Sequence, residues 1–100
     1  MYYRVVKINV NQGHMDEVIN FLNTISNRLY ELEGLHSINC VKVSATEAYA
    51  FSCYETKEQV HKATAFQQEV FGEMEKFFSA PPEVIEGPQM WHWSPEEVTA

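Results

Sequence analysis

The order of two apolar patterns constrains this chain most. Strand-like segments have apolar residues at alternating positions, and helix-like segments have them every three or four positions. The predicted strands lie within residues 2–10, 35–43, 47–55 and 84–93, and the predicted helices run over 14–33 and from Thr56 to about residue 78. The element order is therefore β-α-β-β-α-β.

Turn and capping residues mark the ends of these elements. Gly34 follows the first helix, where a left-handed C-terminal cap is favoured by glycine. Thr56 with Gln59 forms the pattern of a capping box that opens the second helix. Pro81-Pro82 ends that helix. Gly87-Pro88 places the last strand at a sheet edge or in a bulge, because proline has no N–H to donate to a neighbouring strand.

Two right-handed β-α-β crossovers put both helices on the same face of one sheet. The predicted fold class is therefore α+β, a ferredoxin-like sandwich. At 100 residues the chain has the size of one domain. We assign residues 1–93 to that domain and residues 94–100 to a mobile C-terminal tail.

One sheet face is left without a helix, yet the strands carry apolar side chains on both faces. Tyr3 and Val5 oppose Val6 and Ile8, and Tyr49 with Phe51 opposes Tyr54. An exposed apolar patch of this kind usually marks an interaction surface. The same face of a second copy would cover this patch in a two-fold, self-complementary dimer that exposes no further copy of the patch. The sequence therefore predicts a two-fold homodimer of facing sheets, an α+β barrel.

Charge and composition exclude several classes of partner. Seven Lys and Arg against fourteen Asp and Glu give a net charge of −7. Nucleic-acid binding relies on basic side chains that neutralise phosphates, so neither nucleic acid nor an anionic membrane surface is an expected partner. We find no signal peptide and no apolar run of membrane-spanning length. Cys40 and Cys53 are expected to be free thiols in a reducing cytoplasm.

Two polar residues are candidates for chemistry. His61, in the first turns of the second helix, would serve as a catalytic proton acceptor, since an imidazole titrates near neutral pH. The alternative is a solvated helix residue, because His61 lies off the apolar stripe. Asn9 would orient a substrate hydroxyl or carbonyl. Its alternative is a strand-end amide that bonds the adjacent turn.

Aromatic residues are candidates for a substrate pocket. Tyr49, Tyr54 and Trp91, with Trp93, would line a pocket for a phenol or quinone. The alternative is core and dimer interface, where Tyr and Trp are enriched. The four histidines show no metal-ligand spacing, so no metal site is expected.

Four stretches carry a resemblance to a known family. They are the turn Asn11-Gln12-Gly13 before the long helix, Glu33-Gly34-Leu35, Tyr54-Glu55-Thr56-Lys57-Glu58 and Pro81-Pro82-Glu83-Val84. With them the chain resembles the dimeric α+β barrel proteins of the antibiotic biosynthesis monooxygenase superfamily over residues 2–93. Lys57 and polar neighbours stand where better-characterised members carry a tryptophan.

The resemblance implies a homodimer with small-molecule pockets between sheet and helices. It also implies a cofactor-independent monooxygenase that acts on a phenolic or quinol-like substrate. Two alternatives stay open: a non-enzymatic ligand-binding or accessory protein, and a haem-degrading monooxygenase. The expected partners are a second copy of the chain and a small aromatic ligand, with no cofactor.

Overall fold

The computed structural model describes residues 1–98. One antiparallel sheet has the strand order β2-β3-β1-β4. Its strands are β1 (Tyr2–Asn9), β2 (Leu35–Lys42), β3 (Glu47–Tyr54) and β4 (Glu83–Pro88). This is the ferredoxin-like order, and the predicted α+β fold class is confirmed. The strand that contains Pro88 lies at an edge, as its proline predicted.

The first helical segment is α-helical over only part of its predicted length. Helix α1 (Met15–Ile25) is followed by a 3-10 helix, Ser26–Glu31. The helical segment predicted over 14–33 is therefore present through Glu31, but its second half is a 3-10 helix and not an α-helix. The Thr24 hydroxyl donates to the Phe21 carbonyl at 2.6 Å, and the Ser26 hydroxyl donates to the Asn23 carbonyl at 3.0 Å. Such side-chain hydrogen bonds compete with the α-helical pattern where α1 ends.

The second helical segment begins as predicted and then breaks once. The backbone N–H of Gln59 donates to the Thr56 hydroxyl, and the Gln59 side chain accepts from the Thr56 N–H, which completes the capping box. Helix α2 (Lys57–Lys62) is separated from α3 (Thr64–Met74) at Ala63, whose N–H is shared between the Gln59 and Val60 carbonyls. A 3-10 turn, Glu75–Phe77, ends the segment.

Gly34 links the capping box to the start of β2. Its φ of +80° is the left-handed conformation that the sequence predicted. A Cβ at this position would collide with the Gln59 side chain. The backbone conformation therefore favours glycine, and any larger residue would also displace the Gln59 side chain from its place in the capping box.

The core lies between the helices and one face of the sheet. Val6 and Ile8 of β1 are buried, and Val18 with Ile25 of α1 and Met74 of α3 pack with them. Both helical segments therefore cover the same face, as the crossover argument predicted. The opposite face carries the odd-numbered side chains of β1, and neither α1 nor α3 covers it.

The last strand is shorter than predicted. Strand β4 ends at Pro88, so Trp91 and Trp93 follow the sheet and do not belong to it. Pro88 already pairs with Tyr2, the first residue of β1, and Gln89 donates to the Met1 carbonyl at 2.9 Å, so β1 has no further residues with which Trp91 and Trp93 could pair. Met90, Trp91 and Trp93 are all exposed. The predicted tail contains a short helix, α4 (Pro95–Val98), and its last two residues lie outside the described residues.

Cys40 and Cys53 are both free, as predicted, and they lie on opposite faces of the sheet. Within residues 1–98, no helix combines the length and the apolar character that crossing a membrane requires.

Candidate functional site

A cavity of about 230 Å³ lies between the sheet and the helices. Its floor comes from β1, β2 and β3, and its other walls come from α1, α3 and the 3-10 helix between α1 and β2. Ile38 and Cys40 of the edge strand β2 line it and are exposed, so it reaches solvent at that edge. A mostly apolar concave site with a few polar groups is the usual form of a small-molecule site.

Four polar residues interrupt the apolar lining: Cys40, Ser52, Tyr54 and Gln67. Tyr54 is 4% exposed. Burial raises the pKa of the Tyr54 phenol, and the nearby charge of Arg4 offsets part of that rise. Desolvation likewise raises the pKa of the Cys40 thiol. Both groups are therefore protonated at neutral pH, and Tyr54 is a hydrogen-bond donor.

Arg4 is a buried charge at the polar end of this cavity. It is 4% exposed and lies beside Ser52 across the β1–β3 pairing. Its Nη1 donates to Gln67 Oε1 at 2.9 Å. Its Nη2 donates to Thr64 Oγ1 at 2.9 Å and to the Val60 carbonyl at 3.2 Å. The guanidinium therefore ties β1 to both α2 and α3.

Glu86 completes the environment of Arg4 on the outer side. Its Oε2 lies 3.3 Å from Arg4 Nη2, and its Oε1 lies 3.0 Å from His61 Nε2. Burial alone would raise the pKa of Glu86, but hydrogen bonds from His61 and Arg4 and the charges of both lower it below its usual value. Glu86 is therefore ionised at neutral pH and balances the charge of Arg4.

The structure brings one of the predicted site residues, Tyr54, to the cavity. The His61 side chain is 54% exposed and, within residues 1–98, contacts the network through Glu86. Asn9 and Tyr49 lie on the face of the sheet away from the helices, where Tyr49 stacks on Phe51 at 6.4 Å between ring centroids. Trp91 is 75% exposed beyond β4.

Sequence reasoning missed Arg4 and Gln67, although both left a signal. Arg4 alternates with Val6 and Ile8 along β1, so the sequence places a charged side chain on the same face of the strand as these apolar residues. Gln67 lies four residues after Ala63 and three before Val70. This helical spacing places its amide side chain on the apolar face of the helix. A polar residue on an apolar face needs partners there.

The requirements of a metal site and of a haem ligand can be compared with the described residues. Among residues 1–98 no group of three or more His, Cys, Asp and Glu side chains is placed to hold a metal ion. In the same part of the chain no histidine lines the cavity, so it offers no imidazole as an axial ligand for haem.

Solved structures share this architecture. A monooxygenase from Streptomyces coelicolor, in complex with the ligand nanaomycin D, superimposes with a TM-score of 0.75 and 15% identity, covering 94% of this chain and 91% of that chain. A protein described as an antibiotic biosynthesis monooxygenase superimposes with a TM-score of 0.70 and 8% identity, covering 90% of this chain and 99% of that chain. This chain has the antibiotic biosynthesis monooxygenase fold.

A second oxygenase of this fold gives the same result. SnoaB, a cofactor-independent oxygenase from Streptomyces nogalater, superimposes with a TM-score of 0.76 and 8% identity, covering 91% of this chain and 94% of that chain. The sequence itself matches no family model and no curated protein. At these identities the likeness establishes the fold, and the resemblance predicted from the sequence is confirmed at that level.

Proposed function

We propose that this chain is a cofactor-independent monooxygenase that holds a phenolic or quinol-like substrate in the cavity. The observation that carries the proposal is the pairing of an apolar chamber with phenol and amide groups at one end, Tyr54 and Gln67. The solved relatives in fold include a cofactor-independent oxygenase and a monooxygenase with a bound ligand. The cavity volume of about 230 Å³ lies just below the roughly 300–1,000 Å³ of drug-sized sites, so the cavity suits a ligand smaller than a drug, such as a one- or two-ring aromatic compound.

The proposed chemistry needs no electron donor other than the substrate. An ionised phenol or quinol gives electrons to oxygen; one oxygen atom enters the substrate and the other leaves as water. The protein would bind the anion, exclude water and donate hydrogen bonds to its oxygen. Such preorganised donors are effective where charge develops in a water-poor site. Tyr54, protonated and 4% exposed, fits the donor role.

The test is oxygen uptake with a panel of quinols, corrected for uncatalysed oxidation. We expect Tyr54→Phe to lower kcat/KM by about 10–100-fold, the cost of one hydrogen bond to a charged oxygen. Tyr30→Phe is the matched control, because Tyr30 is 90% exposed on the 3-10 helix. Equal loss in both variants would contradict the role of Tyr54. Binding without oxygen uptake would favour the non-enzymatic alternative.

The role of His61 as the proton acceptor stays a prediction. Its contact with Glu86 links it to the polar end of the cavity through Arg4. His61→Ala tests the role in the same assay. A lower rate with an altered acid limb of the pH profile supports it, and an unchanged profile ends the case for this histidine.

We also propose that the chain works as a homodimer through the open face, defined here as the sheet surface that bears Tyr3, Val5, Tyr49, Phe51 and Ile85. Pairing aligns Phe51, Val5 and Ile85 in one row across β3, β1 and β4. Ile85 is 69% exposed in the single chain. A contiguous apolar row of this kind supports a self-complementary interface.

The residues after β4 support the same proposal. Met90, Trp91 and Trp93 are 97%, 75% and 58% exposed. The radius of gyration of 14.5 Å exceeds the roughly 13 Å usual for 100 residues, and the longest dimension is 46 Å. We propose that this segment packs against the second copy, which would bury its aromatic side chains.

A further inference from the structure

The orientation of the Gln67 amide is fixed by its partner. Gln67 lines the cavity, and its Oε1 accepts a hydrogen bond from Arg4 Nη1 at 2.9 Å. A guanidinium has N–H donors and no acceptor. The oxygen of the amide must therefore face Arg4, and the opposite flip would set two donors against each other.

Arg4 is itself held so that it cannot turn away. Its Nη2 is bonded to Thr64 and to the Val60 carbonyl, and Glu86 lies 3.3 Å from the same nitrogen. At 4% exposure the side chain has no solvent to move into. Gln67 is thus presented to the cavity in one orientation, by a group that is more than nine-tenths buried.

The Nε2 group of Gln67 is left as an unused donor. In residues 1–98 its N–H groups meet no acceptor, while the carbonyl end of the same amide is occupied. Two other lining residues near Arg4, Ser52 and Tyr54, also carry hydroxyl donors. The polar end of the cavity therefore offers several N–H and O–H groups beside a fixed positive charge, and this combination suits an oxygen acceptor on a ligand.

We propose that Gln67 determines ligand specificity by donating a hydrogen bond to a carbonyl or ionised hydroxyl oxygen of a one- or two-ring aromatic compound, and that Arg4 is its positioning residue. The inference rests on the proposed function, since it places the ligand in the same cavity. The ring system lies against the apolar lining, and its oxygen lies at the Arg4 end. A hydrocarbon of equal size would displace water from the amide donor and supply no acceptor in its place, which costs binding free energy.

The direct test compares two probes that differ in one oxygen. The bicyclic ketone α-tetralone and the hydrocarbon tetralin share a ring skeleton, and their affinities are measured by isothermal titration calorimetry. We expect the wild-type chain to bind the ketone about tenfold more tightly, as one hydrogen bond predicts. Gln67→Leu is expected to abolish that preference while it retains tetralin binding.

Three further variants separate the amide from the charge. Gln67→Glu keeps a partner for Arg4 but supplies no donor when ionised, so it too should lose the preference. Gln68→Leu is the matched control, because Gln68 is the neighbouring glutamine on the exposed side of α3. Arg4→Lys should retain part of the preference, since lysine still donates to Gln67 Oε1.

Each outcome decides a separate question. An undiminished ketone preference in Gln67→Leu overturns the role of Gln67, even if quinols are oxidised. Loss of the preference in a protein that oxidises no quinol sustains this inference and removes the proposed oxygenase. Failure of the wild type to bind either probe overturns this inference, whereas the proposed oxygenase is decided separately by the oxygen-uptake assay.

Discussion

Arg4→Met is expected to lower the free energy of unfolding by about 2–4 kcal/mol. The substitution removes the hydrogen bonds to Gln67, Thr64 and the Val60 carbonyl and leaves Glu86 with only its contact to His61 among residues 1–98. Breaking a buried pair from one side costs about 3–5 kcal/mol. We expect somewhat less here, because the Glu86 side chain is 28% exposed and can regain water. Urea unfolding followed by circular dichroism measures the change.

The chain's other arginine supplies the control. Arg28 pairs with Glu69 and Glu73 at 3.0 and 3.3 Å and lies over the Phe66 ring, but its side chain is 36% exposed. Exposed pairs contribute about 0–1 kcal/mol. Arg28→Met should therefore cost less than Arg4→Met. Equal costs would mean that the Arg4 network does not hold the helices to the sheet.

Ile85→Glu is expected to convert the proposed dimer to a monomer. The side chain is 69% exposed in the single chain, so the change should leave the fold intact. In a two-fold interface the new charge appears twice beside Val5, where it loses water and meets its own copy. We expect the dissociation constant to rise about 100-fold or more, a free-energy difference near 3 kcal/mol. Sedimentation equilibrium measures it.

Ile19→Glu is the control for this experiment. Ile19 is 46% exposed on α1, on the helical side of the molecule. The same charge placed there should leave the oligomeric state unchanged. A wild-type protein that sediments as a single chain at micromolar concentration would refute the dimer proposal, whatever the variants do.

Local signals in the sequence predicted the elements and their order. The capping box at Thr56 and Gln59 and the left-handed Gly34 depend on residues close in the chain, and both are present. The end of α1 was missed because Thr24 and Ser26 turn their hydroxyls back onto the helix carbonyls, a choice that helical periodicity does not report. The end of β4 was missed because exposed tryptophans resemble strand residues when only their spacing is known.

The candidate site was harder to predict from the sequence than the helices and strands, because its key contacts join segments that are distant along the chain. Arg4 and Gln67 are 63 residues apart, and Arg4 and Glu86 are 82 residues apart. Taken singly, Arg4, Gln67 and Glu86 match no motif, and only the fold shows that they contact one another. Tyr54 was found because aromatic character alone made it a candidate. His61 drew notice for its pKa range, yet its position on α2 directs it to Glu86.

The most direct measurement of the central claim, that the cavity is the ligand site, is a calorimetric titration of α-tetralone into Ala50→Leu. Ala50 lines the cavity floor, so leucine would occupy ligand space. Filling a cavity commonly adds about 0.5–2 kcal/mol of stability. Ala65→Leu, on the exposed side of α3, is the control. We expect at least about tenfold weaker binding in Ala50→Leu, or 1.4 kcal/mol, with stability kept or raised. Wild-type affinity in that variant would place the ligand elsewhere and contradict the claim.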